Sequence, residues 1–350
     1  MNSNSPLISI VIPIYKSEAF IPRLINCLVD QTYTNLQFLF VDDGSPDNSK
    51  NYIQDFARSD KRVKYIFQEN QGAASALNVG LDKAEGEFIM FLDADDWIVN
   101  ETCSIAIKLV EKFDLDMIFW LNIKEYEHKS IPYPPFFKES SLFENDGMNF
   151  LRRRMIGLIG DEINSPMSTD AFNAGWGKLY KTDVIKSNSI QWTDTNLVGS
   201  SDVLFNASVM PFVNRAYFLH EYLHHYNKQN SNSLTKTYQW TLPEKLKRLF
   251  AELSNLINKH YGNSPEFVIA LNNRIALSVV NLGLSLTSTG MSTQAYKVFR
   301  ESIASVIYTN AIDDLDLKFM PLHYRIYFTF CKVKMYKVVY AMSYFMNKLR

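Results

Sequence analysis

The chain has 350 residues, 47% of them hydrophobic and 21% charged, with a formal net charge of −1. That length suits one large α/β domain with an appendage, or two domains. The near-neutral balance excludes nucleic acid as the main partner. The three cysteines, Cys27, Cys103 and Cys331, read as reduced packing residues, which fits a cytosolic protein, and no pair has metal-ligand spacing.

The opening stretch MNSNSPLISIVIPIY lacks a basic n-region and turns directly into a strand, so no signal peptide is expected. Ile8–Ile14 is a β-branched run and reads as a buried strand. Ala19–Asp30 carries apolar residues at helical spacing. Leu36–Val41 is a second strand, ending at Asp42-Asp43-Gly44-Ser45. A helix over Ser49–Arg58, a strand over Val63–Phe67 and a helix over Ala73–Ala84 follow. Glu87–Leu92 is the next strand, ending at Asp93. A helix over Glu101–Phe113 and a strand over Asp116–Leu121 complete the first 125 residues. Such alternation predicts a mainly parallel α/β sheet with helices on both faces. In open sheets of this kind ligands bind beyond the carboxyl ends of the strands, where both acidic turns fall.

Beyond residue 130, Pro132, Pro134 and Pro135 mark a loop. WGKLY (176–180) and a helix-like stretch over Asp202–Met210 follow. From about residue 240 the pattern is helical, and a boundary is placed near 236–243. The expected division is an α/β domain over 1–238, in two halves (1–125 and 126–238), then a helical region over 239–350. No apolar run reads as long enough to span a bilayer.

FLDADDW (91–97) crowds Asp93, Asp95 and Asp96 into four positions. Two unit charges about 4 Å apart repel by roughly 4 kcal/mol at an effective dielectric near 20. The cluster is either a site for a hard divalent cation such as Mg²⁺ or Mn²⁺, or a solvated acidic turn. VDDGSPDNS (41–49) is built of ordinary turn residues. Its functional reading is a carboxylate that accepts from a base N–H or from ribose hydroxyls. The sequence has no GxxxxGK[ST] and no GxGxxG after the first strand, where it reads PIYKSEAF. A phosphate must therefore be neutralised by something other than a glycine cradle.

Taken in order, residues 8–49, NQGAASALNVGLDKAEGEFIMFLDADD (70–96), WGKLYK (176–181) and SSDVLFN (200–206) resemble the family 2 inverting glycosyltransferases, which have the GT-A fold. The resemblance covers about residues 8–235. It is to bacterial enzymes that build capsular polysaccharide, exopolysaccharide or lipopolysaccharide. It implies transfer from a UDP-sugar donor to a growing glycan or a lipid-linked glycan, with Mn²⁺ or Mg²⁺ as cofactor. It also implies that Pro13 and Tyr15 flank the base and that Asp42 and Asp43 hold uracil and ribose. Asp93 and Asp95 match the DxD motif, with Asp95 the metal ligand and Asp93 on the donor side. Asp202 matches the catalytic base, and Trp176 and Lys178 match a motif beside the donor and acceptor. One of His224 and His225, assigned here to His225, matches a histidine of the metal shell.

The chemistry agrees with these roles. Charge builds on the diphosphate as the glycosidic bond breaks, and a metal stabilises it. The attacking hydroxyl must lose a proton, for which Asp202 is the candidate base.

There are departures and alternatives. Ser201 stands where the family commonly has Glu before the base, and Leu77 where it often has Arg. Asp202 also reads as a helix N-cap, Trp176 as core, Lys178 as a solvated amine, and the histidines as ordinary strand residues. A sugar-phosphate nucleotidyltransferase would need a Gly-rich basic loop that PIYKSEAF does not supply. A non-catalytic assembly subunit is the other alternative. Residues 317–350 carry seven Lys or Arg and no acid. Lys318, Arg325 and Lys332 repeat every seven positions, as if along one helix face. The segment reads either as a peripheral contact with the inner face of an anionic membrane or as a packed helix with snorkelling lysines.

Overall fold

The computed structural model describes residues 5–135, 137–166, 172–230 and 240–349. It divides into two compact units. The first comprises Met1–Leu151, Ala171–Asp194 and Ser201–Asn230, and the second Arg152–Asp170, Thr195–Ser200 and Ser231–Arg350. Segments 152–170 and 195–200 thus group with the C-terminal helices. The boundary expected near 236–243 falls partly on residues 231–239, outside the described residues.

The first unit is built on a mixed ten-stranded sheet. Its amino-terminal half alternates β1 (Ile8–Ile14), α1 (Ile21–Val29), β2 (Leu36–Asp43), α2 (Ser49–Ser59), β3 (Val63–Gln68), α3 (Ala73–Lys83) and β4 (Phe88–Phe91). These four strands pair in parallel in the order β3-β2-β1-β4. Both faces of β1 and β2 are covered, which is why their sequences are nearly continuous apolar runs. Helix α3 lies so close to β1 that a Cβ on Gly80 would meet Val11 Cγ1 at 2.2 Å. A glycine is required there by packing.

Next come β5 (Trp97–Ile98), α4 (Thr102–Phe113), β6 (Met117–Tyr126), β7 (Lys129–Pro132), β8 (Ser141–Phe143) and α5 (Asp146–Ile156). They are followed by β9 (Lys178–Lys181), α6 (Thr182–Lys186), α7 (Ser201–Val209) and β10 (Ala216–Asn227). Strand β9 runs antiparallel between β4 and β6. Strand β10 runs parallel to β6, and short β5 pairs antiparallel on its far side.

Register places the chemistry. Ile14 at the end of β1 pairs with Asp42, while Val11 pairs with Phe91, two residues before Asp93. The two acidic turns therefore flank the carboxyl end of β1, where β2 leaves on one side and β4 on the other. The β5–β10 pairing sets Trp97 opposite His225 and Ile98 opposite His224. It brings the histidine pair beside the FLDADDW turn.

The second unit is helical: α8 (Leu242–Tyr261), α9 (Pro265–Leu286), α10 (Thr293–Ile303), α11 (Val306–Asp314), α12 (Leu322–Lys332) and α13 (Tyr336–Lys348). Pro243 is the second residue of α8 and Pro265 the first of α9, each in the first turn, where its missing N–H costs nothing. Asn273 donates to Leu158 O at 2.8 Å and Arg274 to Met155 O at 2.9 Å, so α9 holds segment 152–164. Arg154 and Arg153 converge on Glu162 in a largely buried cluster.

Two expectations need correction here. Helix α9 is in fact long and apolar enough to cross a membrane, with a mean hydropathy of 1.5, but 67% of that window is buried inside the protein. It is the core helix of this unit, apolar nearly all round because other helices enclose it. The seven-residue repeat of Lys318, Arg325 and Lys332 does not form one stripe. Met320-Pro321 separates a single 3₁₀ turn at Leu317–Phe319 from α12. Arg325 folds back to donate to Lys318 O and Met320 O, each at 2.7 Å, and Lys332 donates to Asp313 O.

Candidate active site

The carboxylates at the end of β2, Asp42 and Asp43, are buried and already employed. Asp42 accepts from Ser45 N–H at 2.8 Å and from the Tyr65 hydroxyl at 2.7 Å. Asp43 accepts from Gln68 Nε2 at 2.6 Å and from Gln71 and Gly72 N–H, both at 2.8 Å. It therefore fixes the loop that leads into α3. Gly44 adopts φ +69° at a point where a Cβ would lie 3.0 Å from Asn70 N. Tyr15, just after β1, is half exposed with the Lys16 amine 5.1 Å from its ring centroid, and Pro13 is half-buried.

The three carboxylates of FLDADDW separate. Asp96 is fully buried. It takes the backbone N–H of Asn227 at 2.8 Å and lies 2.9 Å from His224 Nε2. Burial drives the His224 imidazole down to about 3, and burial with the charge of Asp95 pushes Asp96 well above the usual carboxylate range, so the two are held by a hydrogen bond rather than as an ion pair. Asp95 is half-buried, and its carboxylate accepts from Asn230 Nδ2 at 2.7 Å. Asp93 lines a small recess with Leu77, Phe91, Gly175, Trp176, Trp192 and Asp202. Part of Asp93 reaches solvent. Even so, the protein packed around its carboxyl, and then the charges of Asp96, Asp95 and Asp202, push it well above the usual carboxylate range.

Opposite lies Asp202. It is the second residue of α7, one position inside the helix, so it is not the N-cap. Its carboxylate accepts from Gly175 N–H. Burial raises it above the ordinary carboxylate value, and the charge of Lys178 works against that rise. Lys178 is not a solvated amine. It is 2% exposed, donates to the Ala174 and Trp176 carbonyls, and burial pulls it down to about 7. Ser201 donates to Thr193 O at 2.7 Å and so holds the preceding loop.

Aromatic rings close the site. Trp176 stacks on His224, centroids 4.4 Å apart and 4° from parallel. Trp192 stacks on Phe205 at 3.9 Å and meets Phe91 edge-on at 5.0 Å. Asn78 clamps the Trp192 backbone in both directions, at 2.8 and 2.9 Å. His225 stacks on Trp97 at 5.0 Å, and its Nδ1 lies 2.7 Å from Glu125 Oε1.

The donor set matches a hard cation in part. Asp93 lines the recess and Asp95 is half-buried, so both can offer carboxylate oxygens, whereas Asp96 and His224 are spent on each other. Among the described residues no group of three or more His, Cys, Asp or Glu stands ready to hold a metal. Asp93 and Asp95 would need substrate oxygens to complete a shell.

The sequence reading did not single out Arg23, Glu125, Trp97 or Trp192. Only Trp97 carried a signal, since it directly follows the acidic turn.

The sequence model of glycosyl transferase family 2 matches residues 9–183. The chain belongs to glycosyl transferase family 2. It is therefore a glycosyltransferase, and its relatives agree. It is 28% identical over 258 residues to the uncharacterized glycosyltransferase EpsJ of Bacillus subtilis, covering 73% of this chain and 71% of that one. It is 26% identical to the poly(ribitol-phosphate) β-N-acetylglucosaminyltransferase TarS of Staphylococcus aureus, covering 66% of this chain but 37% of TarS. A crystal structure of residues 1–349 of TarS with UDP-GlcNAc superposes with a TM-score of 0.70 and 19% identity, covering 96% of this family 2 chain and 90% of the other. The mannosyltransferase PcManGT of Pyrobaculum calidifontis, solved with GDP-Man and Mn²⁺, gives 0.53 and 16%, covering 99% and 89%. At these identities the structural likenesses establish the GT-A fold.

Proposed function

We propose that the chain transfers a sugar from a UDP-sugar to a hydroxyl of a growing polysaccharide or lipid-linked glycan, with inversion at the anomeric carbon. The observation that carries this reading is the recess in which Asp93 and Asp202 meet between Trp176 and Trp192. One carboxylate sits at the end of a sheet strand beside the nucleotide turn. The other comes from a separate helix and has a raised proton affinity, as a base working near neutrality needs.

Tyr15 stacks on the base, beside Pro13, while Asp42 and Asp43 hold the uracil and ribose through lone pairs left over from their turn contacts. Asp93 and Asp95 would hold Mn²⁺ or Mg²⁺, which when bound supplies positive charge for the departing diphosphate. Nε2 of His225 remains available to that shell. Asp202 takes the acceptor's proton as the acceptor oxygen bonds to the anomeric carbon, and the sugar–phosphate bond breaks with its electron pair leaving on UDP. Trp176 and Lys178 shape and charge the wall behind Asp202. Complexes of TarS with UDP-GlcNAc support a uridine donor.

Catalysis is assigned within residues 1–238, with the acceptor side in 126–238, and a peripheral membrane contact at the cytoplasmic face to residues 317–350. The support for membrane contact is local. Leu322, Val333, Phe345 and Leu349 are exposed along the same hairpin as exposed Lys334, Lys337 and Lys348. Purified protein incubated with manganese and a panel of UDP-sugars tests the donor. Release of UDP from one of them supports the reading, and release from none, with binding of UDP also absent, removes it.

A further inference from the structure

The acidic turn needs a counter-charge; Lys228 acts on Asp96 by charge, and Arg23 is built directly against the turn. Arg23, on α1, reaches across 72 positions to donate through Nη2 to the Asp95 carbonyl at 2.6 Å. Its guanidinium lies 3.8 Å over the Trp97 ring, which in turn stacks on His225. The charges of Asp96, Asp95 and Glu125 all act on it. Among the described residues its buried Nε has no hydrogen-bond partner, so its placement is set by the Nη2 bond, the stack and charge.

We propose that Arg23 is a positioning residue that stands as the resident cation of the FLDADDW turn and holds it ready for a divalent ion. It binds the backbone of Asp95 and leaves that carboxylate to face the metal. Trp97 fixes the plane of the guanidinium, a role an ammonium cannot fill. Without Arg23, three carboxylates would crowd a partly buried turn in which, among the described residues, His224, Asn227 and Asn230 are the hydrogen-bonding partners and Lys228 acts on Asp96 by charge. The turn would then depend on the metal for its shape. The inference rests on the reading of Asp95 as a metal ligand.

The test compares thermal unfolding of the full chain, with chelator and with saturating manganese, for wild type, Arg23→Met, Arg23→Lys, Asp95→Asn and the Arg23→Met/Asp95→Asn double variant. In chelator, Arg23→Met melts about 3 °C or more below wild type, and Arg23→Lys, which keeps the charge, melts closer to wild type. Asp95→Asn raises the melting temperature of Arg23→Met more than that of wild type, because repulsion remains to be relieved only there. Manganese shifts Arg23→Met more than it shifts wild type or Arg23→Lys. Should Arg23→Met fold only with manganese, its unfolding on chelation supports the proposal. Equal melting of Arg23→Met and wild type in chelator, or equal effects of Asp95→Asn in both backgrounds, overturns it. If manganese shifts no variant, the metal reading of Asp95 fails, and the chelator series still decides the role of Arg23.

Discussion

His224 and Asp96, 128 positions apart, join Nε2 to Oδ2 at 2.9 Å with both side chains out of contact with solvent. The bond ties β10 to the acidic turn, and Trp176 covers it from one side. It turns one of three clustered carboxylates into a structural anchor.

His224→Ala should therefore cost about 2 kcal/mol or more, since it leaves a buried carboxylate short of a donor. His225→Ala loses a ring stack and a partly exposed hydrogen bond with Glu125, and should cost about 1 kcal/mol or less. Urea unfolding of both variants checks this. The reverse order would show that the anchor was assigned to the wrong histidine.

Asp43 accepts three hydrogen bonds that shape the loop before α3. Asp43→Asn replaces one acceptor oxygen with a donor and sets it against a backbone N–H. The expected result is a loss of about 1–3 kcal/mol in stability and a raised KM for the donor with a smaller change in kcat. A change in kcat alone would remove the residue from the nucleotide side.

Lys178 and Asp202 share a field. Burial raises Asp202, so the acid limb of kcat/KM should lie above that of a free carboxylate. Lys178 opposes that rise, so Lys178→Met should move the acid limb to still higher pH. Stability gives an independent sign. Lys178 falls from 10.5 unfolded to about 7 folded. Its burial penalty is full below about pH 7 and fades as pH rises toward 10.5. Lys178→Met should then gain on wild type mainly in the lower range. A pH-independent difference in stability would contradict the lowered value.

Much of this was legible in the residues. The runs ISIVIPI, LQFLFV and EFIMFL announced buried strands, and strand ends located Asp42, Asp43 and Asp93 at one sheet edge. The helix behind Asp202 was visible, but its exclusion from the cap position needed the backbone. What the sequence could not show depended on long-range pairing. Only the β5–β10 register decides that His224 faces Asp96 while His225 faces Trp97 and Glu125. Lys178 looked solvated because nothing local reveals that Ala174, Trp176 and α7 enclose it. Arg23 sat in an ordinary amphipathic helix, with its partner 72 positions away. The grouping of 152–170 with the C-terminal helices follows from contacts of Asn273 and Arg274 that leave no local pattern.

Among the described residues the Asp95 carboxylate has one hydrogen-bond partner, the neutral Asn230, so its removal should leave the fold intact. Asp95→Ala should lower metal-dependent transfer by about 10²-fold or more while UDP-free melting in chelator stays near wild type. Retained transfer would overturn its assignment.

The most direct measurement is UDP release from the preferred UDP-sugar, with manganese and an acceptor, by wild type and Asp202→Asn. Loss of about 10²–10⁴-fold in kcat, with UDP affinity unchanged, is the predicted result. Undiminished release by Asp202→Asn would contradict the assignment of Asp202 as the base and with it the proposed displacement.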